Sequence, residues 1–322
     1  MFKLILRKAL NQSECLGSRL KRSGLRKHRL GRTFVDFVLL PSDIGRVLQC
    51  YRAEFGTYPN IISPRDFNEY LQQTKLLNRK RFYSQWADKF LARDYVAERI
   101  GRQYLNELIW RGDDLRTVDR EKLPQSFIIK ANNGWDANII VHDKDSFDWQ
   151  AAYRTSAQWL EGDHSALYGE WQYRWIPPQL IIERLLVGDD GGSPTDYKFF
   201  VFHGKVEFVQ VDFGRFSNHT RNLYDRNFGK LDVVHDHPNL DGPVSKPSCF
   251  DEMIRLAEML ANNERFVRVD FYDDNGRPIF GELTLHPHAG LFHFEPPSFN
   301  DVLGRVALRK EKLEKILAKD TY

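Results

Sequence analysis

Residues 266–284 read FVRVDFYDDNGRPIFGELT, and this stretch decides the fold. Two apolar runs flank an Asn275-Gly276 pair, which is a strong signal for a β-hairpin turn. Because side chains alternate between the faces of a strand, the turn places Asp270 directly or diagonally opposite Glu282. Two carboxylates so placed repel each other unless a cation or a shared proton lies between them. Oxygen ligands suit Mg²⁺, so the hairpin predicts a metal site connected with phosphate chemistry.

The composition indicates a folded, globular protein. Of 322 residues, 42% are hydrophobic and 13% aromatic, and the net charge of +3 is too small to indicate nucleic-acid binding. Cys15, Cys50 and Cys249 lie far apart and form neither a zinc spacing nor a disulfide framework, which fits a reducing compartment. No apolar run is long enough to span a bilayer. We therefore expect a cytoplasmic protein.

Residues 1–35 are strongly basic, with Glu14 as their only acid. This segment has three interpretations: a solvated tail, a peripheral contact with anionic lipid at the inner face of the membrane, or an organellar transit peptide. The sequence does not separate them.

The rest of the chain alternates helical patterns with hairpins. Helices are predicted over 41–53, from about 63, and over 86–96, 146–160, 250–260 and 308–317, and strands over 127–130, 138–141, 180–186, 196–202 and 206–212. This mixed order favours an α+β fold over a doubly wound parallel sheet.

Six short motifs follow one another in a recognisable order. They are 87–96 with Ala-Asp-Lys and Tyr-Val at its ends, Phe-Ile-Ile-Lys at 127–130, Ile-Glu-Arg-Leu-Leu at 182–186, Asp-Tyr-Lys-Phe at 196–199, Arg-Val-Asp-Phe-Tyr at 268–272 and Gly-Glu-Leu-Thr at 281–284. This order resembles ATP-grasp enzymes, and most closely the TupA-like ATP-grasp family of polysaccharide gene clusters. The resemblance covers approximately Lys89 to Gly304.

The resemblance implies an ATP-grasp fold in which a nucleotide lies between two α+β lobes, with a helical N-terminal extension. It divides the chain into a basic segment 1–35, a helical region 36–125, a small lobe 126–186, a large lobe 187–305 with the metal-binding hairpin, and a C-terminal helix 306–322.

The resemblance also implies nucleotide-binding residues. They are Lys89, Lys130, Asn132, Asn133, Gly134, Glu183, Leu185, Leu186 and Asp196. Lys130 is similar to the strand-end lysine that contacts the α and β phosphates, and 183–186 to the hinge that receives adenine. Trp135 and Asp136 depart from the small residues usual in the phosphate-covering loop. The alternatives are a solvated strand-end lysine, a solvated helix lysine at position 89 and an ordinary core strand.

At the metal end, the resemblance implies that Asp270, Glu282 and Thr284 hold Mg²⁺ between the β and γ phosphates. Thr284 stands where the fold usually has Asn, so it is expected to act through water. Arg268 and Lys198 are the expected catalytic residues, with Arg268 binding the transferred phosphoryl group or an oxyanion and Lys198 the phosphates. The alternatives are an Arg268–Glu282 salt bridge and an Asp196–Lys198 pair.

Three residues are candidates for the acceptor pocket: Arg215, His286 and Gly290. The tripeptides 235–237 (His-Asp-His) and 286–288 (His-Pro-His) also invite a zinc interpretation. Neither shows a third ligand at a useful spacing, so we interpret them as loop histidines.

The function implied by the resemblance is an ATP- and Mg²⁺-dependent carboxylate–amine ligase that forms an acyl phosphate. It would join an amino acid or amine to a sugar-acid or peptide acceptor during surface polysaccharide biosynthesis. A glycosyltransferase with Asp273-Asp274 as its metal motif, an ATP-grasp phosphotransferase and a non-catalytic nucleotide-binding protein are the alternatives.

Overall fold

The computed structural model describes residues 29–188, 191–192, 194–214 and 218–318. Its helices are α1 (Arg29–Phe55), α2 (Phe67–Leu77), α3 (Phe82–Ala87), α4 (Ala92–Arg99), α5 (Trp149–Glu161), α6 (His164–Tyr168), α7 (Phe250–Leu260), α8 (Ser298–Arg309) and α9 (Leu313–Leu317). Its strands are β1 (Leu108–Gly112), β2 (Phe127–Ala131), β3 (Asn138–Val141), β4 (Leu180–Arg184), β5 (Asp196–Phe202), β6 (Lys205–Phe213), β7 (Thr220–Asp225), β8 (Val234–His235), β9 (Phe266–Asp273), β10 (Pro278–Thr284) and β11 (Phe294–Glu295). Most of the basic segment, residues 1–28, lies outside the described residues.

Two antiparallel sheets carry the fold. The first has the strand order β1-β4-β2-β3 and the second the order β10-β9-β5-β6-β7, while β8 pairs with β11 in a short ribbon. Helices and antiparallel sheets are therefore mixed, as predicted for an α+β protein. β9 and β10 pair antiparallel, so the hairpin predicted from the sequence exists, and β10 lies at one edge of the second sheet.

The second sheet is covered on both faces. Along β5, Phe199 packs with Phe250 of α7 on one face, whereas Phe200 and Phe202 pack with aromatic residues near α2 and α8 on the other. Every residue of β5 is buried as a result. A strand buried on both faces reads as a continuous apolar run, and this explains the sequence of β5. The first sheet packs its apolar face against Trp149 of α5.

Two predicted helix starts were wrong. α1 begins at Arg29 and continues through Pro41, where a helix start was predicted. α2 begins after Asp66, whose carboxylate accepts the backbone N–H of Glu69 at 2.8 Å, and not near Ser63. Aspartate is a strong N-terminal cap, and this bond satisfies one of the free N–H groups of the first turn.

The predicted extents of two long helices were also wrong. The predicted helix 86–96 is interrupted, because Asp88 Oδ1 accepts the N–H groups of Phe90 and Leu91 and starts α4 separately from α3. The predicted helix 308–317 is α8 followed by α9, with Lys310 in the left-handed region at φ 58° between them.

The predicted domain bounds stay a prediction. β1 pairs with β4, so the first sheet includes residues 108–112, which precede the expected small-lobe boundary at 126. In the part of the chain that is described, no helix is long and apolar enough to cross a membrane.

Candidate active site

A β-bulge in the hairpin brings the predicted metal ligands together. The pairing of β9 and β10 shifts register between Phe280 and Leu283, so that Gly281 and Glu282 together face Asp270. A bulge places two residues opposite one and re-aims the side chains of the bulged strand. Asp270 and Glu282 therefore meet diagonally, as predicted.

Arg268 occupies the space between these carboxylates. Its Nε and Nη2 each lie 2.7 Å from an oxygen of Asp270, and Nη2 also lies 2.8 Å from Glu282 Oε1 and 3.1 Å from Thr284 Oγ1. The Arg268–Glu282 salt bridge, considered from the sequence as the alternative, thus exists. The Asp270 side chain is 3% exposed and that of Glu282 is 39% exposed, so Glu282 is the carboxylate that faces solvent.

Lys198 extends the cluster from the hairpin to β5, the neighbouring strand of the same sheet. Its Nζ donates to Asp196, lies 3.0 Å from Asp270 Oδ2 and approaches Asp212 Oδ2 to 3.9 Å. Arg221 Nε lies 2.5 Å from Asp212 Oδ1. The cluster therefore contains four carboxylates and three cations and has an excess negative charge; its members are Asp196, Asp212, Asp270, Glu282, Lys198, Arg221 and Arg268.

The chemistry of these residues fits Mg²⁺. Glu282 and Thr284 present oxygen ligands 2.8 Å apart, and the excess negative charge attracts a cation. Burial raises the pKa of Glu282, but Arg268, Lys89 and Lys198 outweigh it and bring this pKa to about 2, so Glu282 is ionised at neutral pH. Both oxygens of Asp270 are engaged by cationic side chains.

Glu183 organises the cations of the first sheet. Its two oxygens lie 2.8 Å from Lys130 Nζ and 2.7 Å from Arg93 Nη1. Burial raises the pKa of Glu183, but Lys130 and Arg93 outweigh it, so the pKa is lowered. Lys130 is thus held at the end of β2 by an ion pair and is not a free strand-end lysine.

Lys89 connects the two groups of charges. It lies between α3 and α4 rather than in the predicted helix, and its Nζ donates to the carbonyl oxygen of Gly134. The pKa of Lys89 is lowered, mainly by burial and also by the positive charge of Lys130. The negative charge of Glu282 acts in the opposite direction and raises this pKa. The charges of both Glu282 and Lys130 therefore act on Lys89.

The loop after β2 has a fixed base. Asn132 is buried and bonds Asp88, the Pro177 carbonyl and the Gln179 N–H, so its role in this structure is to anchor the loop. Asn133 Oδ1 is buried without a hydrogen-bond partner.

The remainder of the loop is sterically constrained. A Cβ on Gly134 would lie 2.5 Å from the His164 ring, which explains a glycine there. Trp135 is 40% exposed and packs near His164 and Tyr168.

The segment after β4 leaves the first sheet at an ion pair. Arg184 Nη2 lies 2.7 Å from Asp274 Oδ2 in the hairpin turn, and Leu185 and Leu186 follow, half buried. Asp273 Oδ1 accepts the Gly276 N–H at 2.6 Å. Asp273 and Asp274 are thus turn and ion-pair residues, which argues against the metal motif of the glycosyltransferase alternative.

Two of the candidate acceptor residues, His286 and Gly290, are buried. His286 is buried, and its Nδ1 lies 3.3 Å from Gln172 Nε2 and 3.9 Å from Glu170. The Gly290 carbonyl accepts Gln72 Nε2 at 2.6 Å, and a Cβ on Gly290 would lie 2.7 Å from that nitrogen. Their contact with substrate stays a prediction, and Arg215 lies outside the described residues.

One group of potential metal ligands was not predicted from the sequence. His235, Asp236 and His288 each place a ligand atom within 4.8 Å of the others. The interpretation that neither His-x-His tripeptide has a third ligand was therefore wrong. Each tripeptide contributes one histidine and Asp236 completes the group, a combination that no local spacing reveals.

The family model of one protein family matches most of the chain. The sequence model of the TupA-like ATPgrasp family matches residues 69–308. No curated protein matches the chain. Among solved structures, D-alanine–D-alanine ligase from Bacillus anthracis complexed with ATP is 13% identical, with a TM-score of 0.38, and the match covers 62% of this chain and 53% of that one.

Two further structures match in the same way. L-amino acid ligase from Bacillus licheniformis is 12% identical with a TM-score of 0.42, over 76% of this chain and 55% of that one. Phosphoribosylamine–glycine ligase from Thermotoga maritima is 12% identical with a TM-score of 0.42, over 68% of this chain and 55% of that one. The chain spans little more than half the length of these structures. Since the family match extends over more than half of the chain, the protein belongs to the TupA-like ATP-grasp family and has its α+β fold.

Proposed function

We propose that the protein is an ATP- and Mg²⁺-dependent carboxylate–amine ligase. The observation that carries this proposal is the position of Lys89, which contacts the phosphate-loop residue Gly134 and lies in the field of both Lys130 and Glu282. Two lysines and an ionised carboxylate whose charges act on one another suit a triphosphate with its metal. The family membership supports the same conclusion.

Each charged residue has a role in this proposal. Lys89 and Lys130 bind phosphates, and Glu183 positions Lys130. Asp196 supports Lys198, which reaches the phosphates or holds Asp270 in place. The backbone at Leu185 and Leu186 pairs with adenine, and the loop at Asn133 and Gly134 covers the phosphates.

Asp270, Glu282 and Thr284 would hold Mg²⁺, which when bound neutralises charge on the transferred phosphoryl group. Arg268 is 8% exposed and bonds all three of these residues. We infer that Arg268 positions the carboxylates and that its guanidinium would bind the transferred phosphoryl group or an oxyanion.

The proposed reaction has two steps. An oxygen of the substrate carboxylate attacks the γ-phosphorus, and the bond between this phosphorus and the oxygen bridging to the β-phosphate breaks. ADP departs and an acyl phosphate is formed. The amine nitrogen then attacks the acyl carbon, inorganic phosphate leaves, and the amine loses a proton as the amide forms. The protein's part is to position the reactants and to stabilise negative charge.

The acceptors follow from the family. We propose that an amino acid or amine is joined to a sugar-acid or peptide acceptor in surface polysaccharide biosynthesis. The enzyme would work in the cytoplasm, and the basic segment 1–35 would let it approach lipid-linked glycan at the inner face of the membrane. Arg215, His286 and Gly290 stay the candidate acceptor residues.

A nucleotide-release assay tests the function. The protein is incubated with ATP and Mg²⁺ and with pools of amino acids and uronic acids, and ADP and inorganic phosphate are measured separately. We expect both products in equal amounts, and only when a carboxylate and an amine are both present. The Asp270→Asn variant should lose this release.

The alternatives give different products. ADP without inorganic phosphate, together with a phosphorylated acceptor, would identify a phosphotransferase. A nucleoside diphosphate released from a sugar nucleotide would identify a glycosyltransferase. ATP binding without turnover across all pools would favour a non-catalytic protein.

A further inference from the structure

The group of His235, Asp236 and His288 lies outside the residues assigned to ATP and Mg²⁺. Among the residues that the structure describes, these three are the group of His, Cys, Asp or Glu side chains whose ligand atoms lie close enough together to share one metal ion. We propose that it binds a divalent transition metal, with Zn²⁺ as the first candidate.

The distances suit a small tetrahedral ion. Asp236 Oδ2 lies 3.1 Å from His288 Nδ1, and each of the three side chains places a ligand atom within 4.8 Å of the other two. Two ligands that each lie about 2.0–2.1 Å from a tetrahedral zinc are roughly 3.4 Å apart. The contact between Asp236 and His288 therefore already has a spacing close to that of zinc ligands, and rotation of the His288 ring, which is 34% exposed, adjusts its distance to His235.

The His235 ring is held in place by the fold. β8 pairs with β11, the ring is 1% exposed, and its Nδ1 lies 3.0 Å from the carbonyl oxygen of His293. Its Nε2 is buried and has no hydrogen-bond partner. A buried nitrogen without a partner costs free energy, and a metal bound at Nε2 would remove that cost while Nδ1 keeps its contact with the His293 carbonyl. A backbone carbonyl next to a ligating imidazole is also the usual second contact of a metal-bound histidine.

The charge of the surroundings is compatible with a cation. Arg221 Nη1 lies 3.6 Å from Asp236 Oδ2, but Arg221 Nε lies closer, at 2.5 Å, to Asp212 Oδ1. Asp212 and Asp236 thus share the guanidinium of Arg221, so the positive charge of Arg221 does not exceed the negative charge beside it.

The donor set selects the metal. Two imidazole nitrogens and one carboxylate oxygen favour Zn²⁺ and its transition-metal neighbours over Mg²⁺, which prefers oxygen ligands alone. The ion would connect β8 to the turn Pro287–Gly290, two segments that are far apart in sequence. Three protein ligands leave a fourth position open for water or a substrate group.

Metal titration of the full chain tests the proposal. The protein is stripped with EDTA, freed of chelator and titrated with Zn²⁺ against a chromophoric competitor, without nucleotide. We expect one tight site per chain in the wild type. In His288→Gln and Asp236→Asn, whose side chains are 34% and 25% exposed, we expect an affinity at least about 10-fold weaker.

His293→Gln is the matched control, because its imidazole pairs with Glu54 outside the group. It should bind like the wild type. Substitution by Co²⁺ provides a second readout: nitrogen and oxygen ligands give visible bands without the charge-transfer band of thiolates, so binding at cysteines is recognised. Absence of a one-to-one site, or equal affinity in both ligand variants and the wild type, would overturn the proposal. Because no ATP is used, this result is independent of the ligase assay.

Discussion

Arg268 on β9 and Glu282 on the bulge of β10 are joined by a salt bridge of 2.8 Å between Nη2 and Oε1. The same guanidinium binds both oxygens of Asp270. One cation therefore holds together the two carboxylates that we propose as Mg²⁺ ligands. Arg268 balances their charge in the structure.

Arg268→Lys should lower both stability and activity. An ammonium group keeps the charge but cannot bond Asp270 through two nitrogens and Glu282 at once. We expect a loss of about 1–3 kcal/mol in the free energy of unfolding, measured by chemical denaturation, because buried carboxylate oxygens lose partners. Arg277→Lys, in the exposed turn of the same hairpin, should be nearly neutral. Equal stability of the two variants would contradict the role assigned to Arg268.

Lys130→Met should weaken ATP binding. Under the proposed function Lys130 binds phosphate, and a charge-assisted contact of this kind is worth about 1.5–3 kcal/mol, which corresponds to an increase of roughly 10- to 100-fold in the Kd for ATP. Isothermal titration calorimetry measures this Kd directly. Lys144→Met, which removes a lysine bonded to the Leu123 carbonyl, is the control and should bind as the wild type does. An unchanged Kd for Lys130→Met would remove Lys130 from the nucleotide site.

The sequence was sufficient for features that depend on local pattern. The hairpin at Asn275-Gly276 and the strand that carries Lys130 both follow from alternation and turn chemistry. These are short-range rules, and the structure follows them.

Features set by tertiary contacts could not be predicted. The bulge at Gly281, which brings Glu282 to the face of Asp270, depends on the register of β10 against β9. The break at Asp88 depends on a side chain that also bonds Asn132, in the loop after β2. The proposed metal-ligand group joins His235 to His288, which are far apart in sequence. No spacing in the sequence encodes these contacts.

Gly134→Ala should disturb the loop 132–134, which we propose covers the phosphates, because the new Cβ meets His164. The new Cβ would lie 2.5 Å from the His164 ring, so the loop or the ring must move. Such overpacking costs typically 1–3 kcal/mol, and we expect a loss of about that size in the free energy of unfolding together with weaker ATP binding. The double variant Gly134→Ala/His164→Ala makes room for the Cβ and should recover most of both losses. Failure of this rescue would show that the glycine is needed for another reason.

Glu170→Gln should change the pH dependence of stability. Glu170 is buried near Lys75; burial raises its pKa to about 7, although Lys75 acts in the opposite direction. The folded state therefore binds a proton between roughly pH 4.5 and 7 that the unfolded state releases, so the contribution of Glu170 to stability is present below pH 4.5 and is lost as the pH rises through 7.

The difference in the free energy of unfolding between Glu170→Gln and the wild type isolates this effect, because the buried histidines titrate in both proteins. Burial lowers the pKa of Lys75 only to about 8, so Lys75 stays charged in the folded protein across most of this window. We expect the variant to gain about 2–3 kcal/mol relative to the wild type between pH 4.5 and 7. Glu161→Gln, at the exposed end of α5, should show no such change. A difference that does not vary with pH would mean that Glu170 is ionised throughout, and that Lys75 compensates its burial completely.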